Sequence, residues 1–211
     1  MKKDIESILE KLKTMHGPPR VELSYSSPME LTIAVVLSAQ CTDERVNRVT
    51  EHLFKKYTKW REYLDIPASE LEEDIRATGF YRNKTKSLKA IALDMEERFW
   101  GRVPDDIDTL ASVKGIGRKS ANMIAGLAYG KPAIIVDTHM SRVANRIGLS
   151  SNTDAEKIEI DLRSTVPQKA WTDFSLLMIL HGRYVCTARK PDCPNCLLRP
   201  DCDYWQRQSG V

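Results

Sequence analysis

The chain has 211 residues and a mass of 24.0 kDa, with 42% hydrophobic and 29% charged residues, enough for a packed core and too apolar for a disordered chain. No apolar run reaches the roughly eighteen residues of a membrane span. The opening Met1-Lys-Lys-Asp-Ile5 lacks the apolar stretch of a signal peptide, so a cytoplasmic protein is expected. The net charge of +3 comes wholly from residues 106–211, where 14 Lys+Arg face 11 Asp+Glu; residues 1–105 hold 18 of each. Such a mildly basic half permits a phosphate-facing surface without demanding one.

Helical periodicity runs along almost the whole chain. Ile5, Ile8, Leu9, Leu12 and Met15 make a one-sided stripe. Pro28 opens an apolar run from Leu31 to Leu37 that predicts a helix buried on most sides. Thr42 or Asp43 is expected to cap the next helix, whose stripe is Val46, Val49, Leu53 and Tyr57. Ser69-Glu-Leu-Glu72 matches a capping box, and Gly79 ends the helix it opens. Leu88, Ile91, Ala92, Met95 and Phe99 form a further stripe, and Ile107, Leu110 and Val113 a short one. Ala133-Ile-Ile-Val136 is the one strand-like piece and has no evident partner, so it reads as a buried connector. Thr153-Asp-Ala-Glu156 is a second capping box, and Trp171 to His181 a last long helix. The expected fold class is all-α. No repeat and no Pro/Gly/Ser-rich linker marks a domain boundary.

Three places carry chemistry. Val113-Lys-Gly-Ile-Gly117 joins a short apolar helix to a second one beginning at Arg118. The two glycines allow a tight hairpin and a close backbone approach, and the unpaired N–H groups of the second helix suit an anion such as phosphate. An ordinary turn between packed helices is the alternative. Lys119 lies in the first turn of that helix, where the helix dipole and the neighbouring Arg118 both disfavour an ammonium; it is either a nucleophilic amine or a phosphate contact. Asp137, at the end of the buried connector, is placed to cap a helix carrying Met140, Val143 and Ile147. The connector would also hold its carboxylate firmly enough for catalysis.

Four of the five cysteines, Cys186, Cys193, Cys196 and Cys202, lie within seventeen residues, and in a reducing compartment such clustering favours a metal. Four thiolates close around zinc or a 4Fe–4S cluster. The single short C-x2-C spacing, with Pro194 inside it, leans toward iron–sulfur.

The glycine hairpin, the helix-borne lysine, Val-Asp-Thr-His with its Asp eighteen residues beyond that lysine, and the C-x6-C-x2-C-x5-C spacing occur in one order. That order resembles the endonuclease III family, bifunctional DNA glycosylase/AP lyases of the helix–hairpin–helix superfamily. Leu37-Ser-Ala-Gln-Cys-Thr-Asp43, Gly79-Phe-Tyr-Arg-Asn-Lys84 and Leu180-His-Gly-Arg183 resemble further family segments, and the likeness spans about residues 3 to 205.

The resemblance implies two helical domains flanking a DNA cleft: a six-helix barrel over 21–131 with the hairpin motif at about 108–128, and a domain of 1–20 plus 132–211 holding an iron–sulfur loop at 186–202. It implies Lys119 as nucleophile and Asp137 as essential carboxylate, with the four cysteines as ligands of one 4Fe–4S cluster and neither a nucleotide cofactor nor a catalytic metal. DNA contacts would come from Gln40, filling the gap left by an extruded nucleotide, from Phe80 as a wedge, and from Lys114, Gly115, Gly117, Arg118, Arg189 and Lys190. Ser38, Asp43 and His139 would line the lesion pocket.

The implied partner is damaged double-stranded DNA, bound by a nucleoid-associated monomer with no membrane involved. The implied reaction removes oxidised or ring-saturated pyrimidines such as thymine glycol and cuts 3′ to the abasic site. Adenine glycosylases of this fold carry a glutamate where this chain has Val35, and thymine-mismatch glycosylases typically a tyrosine at the position of Lys119. Lys114 replaces a frequent proline and Phe80 a common leucine. The competing class is a binding or redox-sensing module without turnover.

Overall fold

The computed structural model describes residues 3–209. Among them there is no strand, and the chain forms twelve α-helices and three short 3₁₀ turns, as the all-α expectation requires. Internal contacts gather into two compact units: Glu22–Lys131, and the residues up to Val21 together with those from Pro132 on. Among the described residues no helix is long and apolar enough to cross a membrane.

The Glu22–Lys131 unit is built on α2 (Pro28–Leu37), in which every residue from Leu31 to Leu37 is buried. Pro28 sits at the first helical position, where a missing N–H costs nothing, and the Ser27 side chain accepts from the Glu30 N–H. Three helices pack on α2: α3 (Asp43–Lys56), α6 (Tyr81–Phe99) and α8 (Arg118–Tyr129). Thr42 does hold the N-cap position of α3, but its side chain makes no capping bond. The Ser69–Glu72 capping box is not formed. Pro67, extended at φ −58° and ψ 142°, takes the N-cap position and starts α5 (Ala68–Ile75) two residues early, so Ser69 falls inside the first turn.

Between α3 and α5 lies α4 (Trp60–Asp65), too short for periodicity to reveal. It buries Trp60 and Tyr63, and its final carbonyls are taken by Lys89 Nζ, which reaches Tyr63, Leu64 and Ile66 at 2.6–3.1 Å.

The other unit centres on α11 (Trp171–Tyr184), in which every residue from Phe174 to Gly182 is buried. Against it pack α1 (Ile5–His16) and α9 (Thr138–Ile147). A Cβ on Gly182 would stand 2.7 Å from the Cβ of His139, so α11 meets α9 across bare backbone. Ala133–Val136 is a buried extended connector. Two of its N–H groups are taken by hydroxyls of α11: the Ala133 N–H donates to Thr172 Oγ1 at 3.3 Å and the Ile135 N–H to Ser175 Oγ at 3.0 Å.

In α10 (Ala155–Thr165) the cap is Asp154, which accepts from the Glu156 and Lys157 N–H groups, one residue beyond the expected Thr153. A seven-residue α12 (Asp203–Ser209), absent from the sequence expectations, completes the unit and packs on α9.

Gly148 ends α9 at φ +92°, where a Cβ would fall 2.0 Å from Asp203 Oδ2. Asp203 is itself held by Lys3. Gly148→Ala therefore meets both an unfavourable backbone region and α12, and the expected loss of about 1–3 kcal/mol is read as a lower midpoint in urea unfolding.

Candidate active site

The glycine hairpin joins α7 (Ile107–Ala111) to α8. Val113 and Ile116 are buried and pin the turn from beneath, while the Lys114 N–H donates to Asp94 on α6. Gly115 sits at φ +105°, and a Cβ there would stand 3.3 Å from Ser87 Cβ and from the Ser87 carbonyl oxygen, so the turn needs glycine to lie on α6. Gly117 differs. It is the N-cap of α8, no side chain caps the helix, and a Cβ on it would meet nothing within 4 Å. Open space in front of a helix N-terminus is the arrangement that receives an anion.

Lys119, the second residue of α8, is exposed, as is the side chain of Lys114. Arg118 pairs with Asp108 at 2.6 Å, bracing one arm of the hairpin against the other.

Two loops of the same unit carry Gln40 and Phe80. After α2, a turn closed by the Cys41 N–H to the Ser38 carbonyl holds Gln40 exposed at its third position, with φ +53°. Phe80, 60% exposed, stands at the N-cap of α6 with φ +48° and ψ +26°. Among the described residues only Gln40, Phe80 and Trp100 combine a side chain with positive φ. For a bulky aromatic such backbone is an outlier, and outliers concentrate at functional sites. Ser38 lies half-buried at the end of α2, with its hydroxyl bonded to the Val35 carbonyl, and Asp43 opens α3.

In the other unit Asp137 is the N-cap of α9. Its Oδ1 accepts from the Met140 N–H at 2.7 Å, which fixes the carboxylate's orientation at the end of the buried connector. His139, half-buried, lies with Nδ1 3.2 Å from Arg142 Nη2.

Further along α9, Arg142 and Arg146 reach the cysteine segment. Arg142 Nε donates to the Cys186 carbonyl at 3.0 Å; Arg146 Nη1 lies 3.3 Å from Cys186 Sγ and donates to the Thr187 carbonyl at 2.8 Å, while its Nη2 donates to that of Ala188 at 3.0 Å. One helix thus carries Asp137 at its start and anchors the cysteine loop with its later turns. Sequence reasoning missed both arginines, because cations spaced four apart on a helix read as a solvated face.

Cys186, Cys193, Cys196 and Cys202 line one pocket with the apolar Val143, Ile147 and Leu198. Burial pushes the Cys196 thiol up to about 11, and the Cys193 thiol upward as well, helped by Cys186. His181, buried and held down to about 4 by that burial and by His16, places Nε2 3.6 Å from Cys196 Sγ. Among the described residues no three His, Cys, Asp or Glu side chains converge tightly enough to grip a single ion. Arg189 and Lys190 stand exposed on the loop between Cys186 and Cys193.

Residues 33–168 match the HhH-GPD superfamily of base excision DNA repair proteins. Endonuclease III of Bacillus subtilis (strain 168) is 42% identical over 207 residues, covering 98% of this chain and 94% of the relative. Among solved structures, a trapped endonuclease III–DNA covalent intermediate with an estranged adenine superposes with a TM-score of 0.92 at 40% identity, over 97% of each chain. A thermostable thymine-DNA glycosylase gives 0.85 at 26% identity, over 96% of this chain and 95% of that one. The chain belongs to the endonuclease III family of the HhH-GPD base excision DNA repair superfamily.

Proposed function

We propose that this chain removes oxidised or ring-saturated pyrimidines, thymine glycol among them, through a Schiff base on Lys119, and then cuts the strand 3′ to the abasic site. The broader activity comes with the family: a bifunctional DNA glycosylase and AP lyase of base excision repair. The observation that carries the finer reading is an exposed lysine in the first turn of α8, directly behind a glycine N-cap that leaves the helix end open.

A damaged base inside a duplex is out of reach, so the nucleotide is first extruded, which costs least for lesions that stack poorly. Loss of ring planarity makes saturated pyrimidines such lesions. Gln40 fills the vacated space and Phe80 wedges against the opposite strand. Backbone already held in the left-handed region supports this reading, since the loops need not rearrange to present those side chains.

The Lys119 amine attacks the sugar C1′ as the glycosidic bond breaks, and the base leaves with the bonding electrons. Asp137 stabilises the positive charge that develops on the sugar and takes a proton from the attacking amine. The C1′–O4′ bond of the resulting aminal then opens, with O4′ taking up the proton that Asp137 accepted, to leave an iminium. A base removes a C2′ proton and the C3′–O3′ bond breaks, expelling the 3′ phosphate and cutting the strand. Replacing Lys119 by Ala abolishes trapping and strand cleavage on a thymine glycol duplex while leaving binding intact; residual cleavage at the wild-type rate would refute the mechanism. Asp137→Asn, which keeps an oxygen to cap α9, slows base release by about 10²-fold or more with little change in stability.

Cys186, Cys193, Cys196 and Cys202 fit a 4Fe–4S cluster. A closed zinc site draws four sulfurs onto one ion at about 2.3 Å each. A cluster would take one thiolate from each of the four cysteines, which line one pocket. The four cysteines would hold the cluster, and the crosslink it would supply there would fix the loop on which Arg189 and Lys190 stand exposed toward DNA phosphate. Cys202→Ser removes the protein's visible absorbance and lowers its melting temperature; a colourless, zinc-loaded wild type would contradict the assignment. Lys114→Ala and Lys190→Ala each reduce the slope of log K against log salt by about 0.9, measured by fluorescence anisotropy.

A further inference from the structure

Lys84 lies in the first turn of α6, only 5% exposed, and takes no part in the reaction or in the phosphate contacts. Its Nζ donates to the carbonyl of Leu37 at 2.8 Å and to that of Thr78 at 2.8 Å. Among the described residues no carboxylate forms an ion pair with it, and burial lowers its pKa against a smaller opposing effect of Cys41. A buried ammonium without an acid is costly, so its retention needs a reason.

The two carbonyls supply one. Leu37 is the last residue of α2 and Thr78 the last of the 3₁₀ turn Arg76–Thr78, so both oxygens are helix-end acceptors. Three residues after Leu37 comes Gln40, and two after Thr78 comes Phe80, each with positive φ. One ammonium therefore holds the roots of both loops that carry left-handed side chains. Lys89, one helix turn and a residue further along α6, is the informative contrast. It too caps carbonyls, but all three belong to the single chain end of α4.

We propose that Lys84 is a positioning residue that fixes the two DNA-inserting loops to a common point, so that Gln40 and Phe80 enter the duplex together. The proposal rests on the insertion of Gln40 and Phe80 put forward under the proposed function. Methionine, unbranched, apolar and one atom shorter, fills most of the same space but leaves both carbonyls unbonded, which frees each loop to move independently.

The test uses the full metal-loaded chain and a duplex bearing one thymine glycol with 2-aminopurine in the opposite strand, whose fluorescence rises when it is unstacked. Wild type, Lys84→Met and Lys89→Met are compared for that rise, for single-turnover base release from the duplex, and for strand cleavage of a single-stranded abasic oligonucleotide, which needs no insertion. Lys84→Met loses the fluorescence rise and releases the base about 10²-fold more slowly, yet cleaves the single strand at the wild-type rate. Lys89→Met keeps all three.

A normal fluorescence rise with normal base release in Lys84→Met overturns the proposal. So does an equal loss on single-stranded and duplex substrates, which marks general damage to the fold. Absence of any rise in wild type overturns instead the insertion reading beneath it. Lys84→Gln, which retains a donor for one carbonyl, carries the same readouts if the Met variant does not fold.

Discussion

An α-helix leaves its first N–H groups and last carbonyls without partners inside the helix, and a chain made of helices meets that constraint at every junction. Here the junctions are where the proposed chemistry stands. Lys119 lies in the first turn of α8, behind a cap that makes no side-chain bond, whereas Asp137 is itself the cap of α9. Gln40 follows the end of α2 and Phe80 opens α6. Buried segments, Leu31–Leu37 in one unit and Phe174–Gly182 in the other, form the core on which these helices pack.

How each end is satisfied decides what it can do. Arg142 and Arg146 take carbonyls of the Cys186–Ala188 segment, which joins the cysteine loop to the helix that Asp137 caps. Thr172 and Ser175 take the N–H groups of Ala133 and Ile135 in the connector before Asp137, so hydroxyls on α11 serve part of an apolar segment that has no strand partner. Gly117 leaves the start of α8 uncovered by any side-chain cap, an opening that phosphate is suited to fill.

Much of this was visible in the sequence for specific reasons. The Pro28-led apolar run suited a helix buried on most sides, Asp137 stood where a cap was needed, and the cysteine spacing admitted few chemistries. Other features were hidden by the same logic. Thr153 and Asp154 are both good caps, and only the backbone selects the second. α4 shows its neighbours just Trp60 and Tyr63, too few for a period. The left-handed backbone of Gln40 and Phe80 contradicts their residue types, and Lys84 reads as one more solvated lysine until its two carbonyls are seen. The unforeseen residues are mostly polar groups serving distant backbone, which periodicity does not report.

Everything in the proposed chemistry turns on the reacting nitrogen belonging to Lys119. Borohydride reduction of wild-type protein on an abasic duplex, followed by proteolysis and tandem mass spectrometry of the crosslinked peptide, measures this directly. The predicted result is a deoxyribose remnant on Lys119 alone. A remnant on another exposed lysine, such as Lys114 in the same hairpin, would contradict it.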